Sequence, residues 1–156
     1  MPDPQTRPFG DRRLGEYSFR EHLELIRTRP GMYGLNGSYR DFVTYLYGYD
    51  AGTRDSALLG FREWLLLRLD RQSSLVWPSL VLTLAVPAAP LQHDKALSEP
   101  QNSAAVVALF ELLETFLNDR DGDRHGLRKI FSNYDRRFVG LIGPTAANSP
   151  CANRPK

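Results

Sequence analysis

Residues 18–53, SFREHLELIRTRPGMYGLNGSYRDFVTYLYGYDAGT, decide the fold, because they predict two helices joined by a sharp corner. Ser18 opens the first helix as an N-cap, with Glu21 at the three-residue spacing of a capping box. This helix must end near Thr28, because Pro30 has no N–H to donate and disfavours helical geometry in the preceding residue. The stretch therefore predicts a helix, an Arg-Pro-Gly corner and a second helix.

The second helix is expected to begin a few residues after the corner. Gly31 is predicted to take a positive φ that other residues resist. Ser38 is the second N-cap, and Asp41 places a carboxylate at the positive end of the helix dipole. Gly48 lets another backbone approach closely, and Gly52 is a natural stop. One side of this helix is lined by an apolar stripe, which comprises Phe42, Tyr45, Leu46 and Tyr49.

Two apolar segments follow. A third helix is expected from a cap at Asp55 to about Leu69, and it is apolar on so many sides that a central position is favoured. Residues 75–86 favour a helix, since their proline suits a first helical turn and suits a central strand poorly. Periodicity alone leaves a buried strand open for that run.

The C-terminal half predicts one clear helix and a shorter one. An amphipathic helix opens at residue 102 or 103 and reaches Asn118, after a proline-rich surface connection over 87–101. The segment LRKIF adds one or two turns. We therefore predict a mainly α, single-domain bundle of about five helices over 18–143. A loose N-terminal segment, 1–17, and a flexible C-terminal tail, 144–156, complete the chain.

Composition narrows the class of protein. Of the 156 residues, 42% are hydrophobic, which is enough for one domain with its own core. Twenty basic and 18 acidic residues leave a net charge of +2, which does not by itself indicate nucleic-acid binding. A lone Cys151 fits a reducing compartment. No signal peptide or membrane span is visible, so a cytoplasmic location is expected.

No catalytic or metal-binding pattern is visible. The loop 119–123 alternates acids like an EF-hand, but a template that starts at Asp121 places Ser132 where calcium needs a glutamate. Glu111 and Glu114 share a helix face, and a solvated rim is the favoured interpretation. The basic clusters near residues 12 and 136 each have an acidic neighbour and predict solvated surface. We expect no enzyme activity, no metal and no cofactor.

The corner LIRTRPGMYG resembles the R-x-R-P-G-M-Y motif that lies between two helices of the DNA gyrase B-type GHKL ATPases. That resemblance implies a catalytic glutamate and, four residues later, a metal-binding asparagine on the second helix. Those positions fall near Tyr45 and Tyr49 here, and no D-x-G-x-G sequence follows. The similarity covers about twenty residues and implies at most a degenerate nucleotide-binding protein.

A longer resemblance is to a group of small bacterial proteins that carry an RPGMY motif. The parts that match this group over roughly residues 18–118 are RPGMY at 29–33, Gly48-Tyr49, Phe61 to Trp64, Trp77, and Phe110 to Phe116. Such proteins resemble, in size and solitary architecture, the immunity proteins that accompany secreted bacterial toxins. The resemblance implies a non-enzymatic cytoplasmic protein that neutralises a cognate toxin by occlusion. A nucleic-acid-binding regulator is a further alternative, which would require a one-sided arginine face.

If the chain binds a protein, exposed aromatic residues and arginines are the expected anchors, because Tyr, Trp and Arg dominate binding hot spots. The candidates lie at or just after the corner. Tyr39 and Arg40 open the second helix off its apolar stripe and are expected to be exposed. For Tyr33 and Met32, packing into the core beneath the turn is the favoured alternative. The predicted partner-binding residues are Tyr33, Tyr39, Arg40 and Tyr47.

Overall fold

The computed structural model describes residues 17–86 and 96–140. The mainly α-helical prediction is confirmed, since these residues contain no β-strand, and the open segment within 75–86 forms a helix. The elements in chain order are α1 (Phe19–Thr28), a 3₁₀ helix (Pro30–Tyr33), α2 (Tyr39–Gly52), α3 (Phe61–Leu69), α4 (Trp77–Ala85), α5 (Glu99–Asp121), α6 (Gly126–Tyr134) and a π-helical turn (Asp135–Val139).

Three predicted segments fall wholly or mostly outside those ranges. They are the loose lead-in over 1–17, the connection over 87–101 and the tail over 144–156. Among the described helices, none has the length and apolar character needed to cross a membrane.

The corner forms largely as its sequence predicts. The Ser18 N–H donates to the Glu21 carboxylate at 2.7 Å, and the Glu21 N–H donates to the Ser18 hydroxyl at 3.3 Å, which completes the capping box. The prediction of a positive φ at Gly31 is wrong. Gly31 lies inside the 3₁₀ helix, and the chain reverses afterwards, at Gly34 and Gly37, with φ of 71° and 83°.

α5 is the helix on which the others assemble. It packs against α1, α2, α3, α4 and α6. Its start at Glu99 lies three or four residues before the predicted start, because Ser98 and Gln101 form a second capping box and a proline is tolerated in the first turn. On the α2 side, the Phe42 and Phe110 rings meet edge to face with centroids 5.0 Å apart.

α3 is central, as predicted, but it begins at Phe61 and not after Asp55. Arg54 and Asp55 both have φ of 57°, the left-handed region, so the backbone there cannot continue into a right-handed helix. The Asp50 carboxylate holds this loop by accepting the Leu58 N–H at 2.9 Å. α3 then starts after Gly60, whose φ is 86°.

Tyr39 joins three helices and is 1% exposed. Its hydroxyl donates to the Pro78 carbonyl at 2.7 Å, and its N–H donates to the Asn102 side chain at 2.8 Å. The expectation that Tyr39 is exposed is therefore wrong. The residue lies off the aromatic stripe of α2, but in the first turn of α2 that direction faces α4 and the start of α5.

Tyr39→Phe should lower the free energy of unfolding by about 1 kcal/mol, because a buried hydrogen bond is lost while the ring volume is kept. Urea unfolding measures the change. Tyr47→Phe is the matched control, since Tyr47 is 40% exposed and its hydroxyl should matter little to stability. Equal losses in the two variants would contradict the buried role of Tyr39.

Candidate binding surface

α2 presents one face that the rest of the described chain leaves uncovered. Positions 40, 44, 47, 48 and 51 recur at helical spacing and are all exposed. A Cβ atom built on Gly48 meets nothing within 4 Å. The close backbone approach that Gly48 permits is therefore not used by any described residue. We define the α2 outer face as Arg40, Thr44, Tyr47, Gly48 and Ala51.

One flank of the α2 outer face is an aromatic contact with α4. The ring centroid of Tyr47 lies 5.2 Å from that of Trp77. Trp77 is buried, and its neighbour Val76, the N-cap of α4, is 45% exposed. Burial raises the pKa of the Tyr47 phenol. Tyr47 is therefore held against a fixed ring while part of its surface stays accessible.

The other flank is a cluster of four rings at the crossing of α1, α2 and the corner. His22 stacks on Tyr49 and Tyr45, with centroids 4.8 and 5.7 Å apart. Tyr33, from the 3₁₀ helix, meets His22 edge-on at 5.3 Å and Tyr45 at 5.8 Å. These contacts fix the corner on the two helices that it joins. We call His22, Tyr33, Tyr45 and Tyr49 the corner cluster.

His22 and Tyr45 also form a hydrogen bond, with 2.7 Å between Nε2 and the phenol oxygen. Burial lowers the pKa of the His22 imidazole, because the charged form is poorly solvated among the rings. Burial raises the pKa of Tyr45, and the neighbouring Tyr33 adds to that effect. Both shifts favour the neutral forms of the two groups.

Stability should depend on pH through His22. Because its pKa in the folded protein lies below the ordinary value of 6.5, the unfolded chain binds more protons as the pH falls, and the fold is weakened. The free energy of unfolding should decrease from pH 7.5 to 5.5 more steeply in the wild type than in His22→Phe, which keeps a stacked ring. A pH-independent difference between the two proteins would show that His22 does not carry this effect.

Met32, at the apex of the corner, is 74% exposed. Packing of this side chain into the core, the alternative left open by the sequence, is therefore wrong for Met32. For Tyr33 that alternative holds in part, because its half-buried ring packs on His22 and Tyr45. The corner thus carries an exposed thioether beside partly exposed rings.

The structure separates the four predicted partner-binding residues. Arg40 and Tyr47 lie together on the α2 outer face, and Tyr33 belongs to the flanking corner cluster. Tyr39 lies in the core. Sequence reasoning did not include His22 or Trp77 in a binding surface. Both come from other helices, and no pattern within the chain shows which rings of separate helices meet.

The acidic groups singled out in the sequence do not converge on a site. Asp123 accepts the His125 N–H at 2.8 Å and pairs with Lys129, whose hydrogen bond is the main reason that the pKa of Asp123 is lowered. Glu111 and Glu114 are both exposed. Within 17–86 and 96–140, no three His, Cys, Asp or Glu residues are grouped as a metal site requires.

At the two positions where the gyrase-type motif implies a glutamate and an asparagine, Tyr45 and Tyr49 make ring contacts with His22. Comparison with known protein families, with curated proteins and with solved structures gives no match to this chain.

Proposed function

We propose that this chain is a non-enzymatic protein-binding module, and most concretely an immunity protein that neutralises a cognate bacterial toxin by occlusion. The observation that carries the proposal is the α2 outer face, which is uncovered and lies between the Tyr47–Trp77 contact and the corner cluster. A protein partner is the ligand that such a surface suits best, and we propose that the chain itself acts in the cytoplasm.

The chemistry of this surface supports a protein ligand. Tyr47 offers a large ring with few rotatable bonds, and its contact with Trp77 already fixes it, so little side-chain entropy is lost on binding. Arg40 is exposed two turns earlier on the same face and can meet a carboxylate with two parallel hydrogen bonds. Aromatic rings and arginines of this kind dominate protein–protein hot spots.

The middle of the surface supports close packing. Thr44, Gly48 and Ala51 are small and lie between the two aromatic flanks. A helix or strand of a partner can therefore approach the α2 backbone and still contact rings on both sides. This shape gives the buried, water-excluding centre that stable interfaces contain.

Gly48→Arg tests the proposal because it separates binding from stability. Nothing lies within 4 Å of the added Cβ, and arginine favours a helix interior over glycine by about 0.5–1 kcal/mol, so the melting temperature should stay or rise. A long side chain would nevertheless fill the small-residue strip. We expect loss of co-purification with the toxin encoded by the adjacent gene.

Asn118→Arg, at an exposed position of α5, is the matched control and should bind as the wild type does. Arg40→Ala with Tyr47→Ala should weaken binding about tenfold or more without early melting. If Gly48→Arg melts normally and binds with wild-type affinity, the partner uses another surface.

A further inference from the structure

The C-terminal helical unit differs in charge from the helix that precedes it. Residues 122–140 contain two acids and five cations, a net charge of +3, whereas α5 contains five acids and one arginine. The chain beyond Asp135 contains no acidic residue. The cations of the unit are Arg124, Arg128, Lys129, Arg136 and Arg137.

Two of these cations form ion pairs with acidic residues. Lys129 pairs with Asp123, and the Arg137 Nε lies 2.7 Å from Asp70. The three others form no ion pair with an acid among the described residues and are exposed. The unit therefore presents free arginines and not a neutralised surface.

Two of the free arginines lie in one row with a serine. Positions 128 and 132 lie in α6, position 136 lies in the π-helical turn that continues it, and the four-residue spacing keeps the three on one side of the helix. Arg124 lies in the turn before α6, outside this row. Ser132 fills the middle position with an exposed hydroxyl. At 1.5 Å per residue the row is about 12 Å long. We define the basic row as Arg128, Ser132 and Arg136.

The row forms although an acidic residue lies next to Arg136, which in the sequence predicted an ordinary solvated surface. Asp135 lies beside Arg136 in the chain, but Arg137 pairs with Asp70 just after α3, and the four-residue spacing keeps Arg136 on the side of Arg128. Arg128 and Arg136 thus lie on one side of α6 and its π-helical extension, which is the arrangement that a nucleic-acid-binding surface requires.

The side chains of the row favour phosphate over protein. Stable protein interfaces have an apolar or aromatic centre, and the row contains none; the apolar face of α6 points inward, with Ile130 buried. The exposed apolar residue Val139 lies beyond the end of the row. Arginine guanidinium groups and side-chain hydroxyls commonly donate hydrogen bonds to phosphodiester oxygens. We propose that the basic row binds the phosphate backbone of a nucleic acid, independently of the α2 outer face.

The test is fluorescence anisotropy of the full chain with a labelled 20-base-pair DNA duplex from 50 to 200 mM salt. We expect a dissociation constant of about 10⁻⁴–10⁻⁶ M, as is typical of backbone binding, and a linear fall of log K with log salt. Arg128→Gln with Arg136→Gln should weaken binding at least fivefold and make the salt slope shallower by about 1.8, since each lost phosphate contact accounts for about 0.9.

Arg20→Gln with Arg29→Gln is the matched control, because it removes the same charge from exposed positions on and just after α1. It should retain both the affinity and the slope. Absence of binding at 50 mM salt overturns the proposal, and so does equal weakening by the two double variants, which would reflect net charge alone. Tighter binding to polyglutamate or to anionic lipid vesicles than to the duplex also overturns it, in favour of an acidic protein or a membrane.

Discussion

Trp64→Ala is expected to lower the free energy of unfolding by about 3–5 kcal/mol, because truncating a large buried aromatic residue leaves a cavity that the core fills only in part. Trp64 is 4% exposed, and its ring packs on Phe61 and Phe116. Its indole N–H donates to the Asp119 carboxylate at 2.8 Å, which links α3 to the end of α5. The substitution thus removes both packing and an interhelical hydrogen bond.

Chemical denaturation of Trp64→Ala would measure the total loss of stability. The same measurement on Trp64→Phe would separate the contribution of packing from that of the hydrogen bond. The phenylalanine variant keeps most of the ring volume and should lose clearly less stability than the alanine variant. A loss below about 1 kcal/mol in Trp64→Ala would mean that the surrounding helices close over the site, contrary to the central position of α3.

Arg120→Met should cost a similar amount, about 3–5 kcal/mol, by a different mechanism. The Arg120 side chain is fully buried. It donates to Asp121 through two nitrogens, at 2.7 and 3.0 Å, and to the Ala57 carbonyl at 2.7 Å. Its guanidinium also lies 5.0 Å from the centre of the Phe116 ring. Methionine fills the volume but leaves a carbonyl and a largely buried carboxylate without their donor.

Arg137→Met is the matched control for Arg120→Met. Its ion pair with Asp70 has the same 2.7 Å length but is exposed, and exposed pairs contribute little to stability. Calorimetric melting of the two variants should therefore separate them widely. Similar melting temperatures would show that burial does not distinguish the two arginines.

The corner was predictable because its signals are local. A capping serine, a proline and a second capping serine act on residues within four positions of themselves, so helix bounds near 28 and 39 followed from the sequence. The prediction for Gly31 failed on a finer point. A proline can open a 3₁₀ helix, and this moves the reversal of the chain to Gly34.

Nonlocal packing explains the other failures. Tyr39 lies off the apolar stripe of α2, a position that predicts exposure. It is a core residue because Pro78 and Asn102, from distant parts of the chain, pack against it and accept its hydrogen bonds. The same limit applies to the binding surface. Arg40 and Tyr47 follow from helical spacing, but the rings that flank them, Trp77 and His22, belong to other helices.

The position of α5 has a consequence for the order in which the molecule is made. During synthesis α1 to α4 leave the ribosome first, and their apolar faces have no α5 to cover them until residues 99–121 follow. Contacts such as Tyr39 with Asn102 and Trp64 with Asp119 join residues 63 and 55 positions apart. Until then the apolar faces of α1 to α4 are exposed to solvent or bound by a chaperone. The native fold can therefore form only after α5 has emerged.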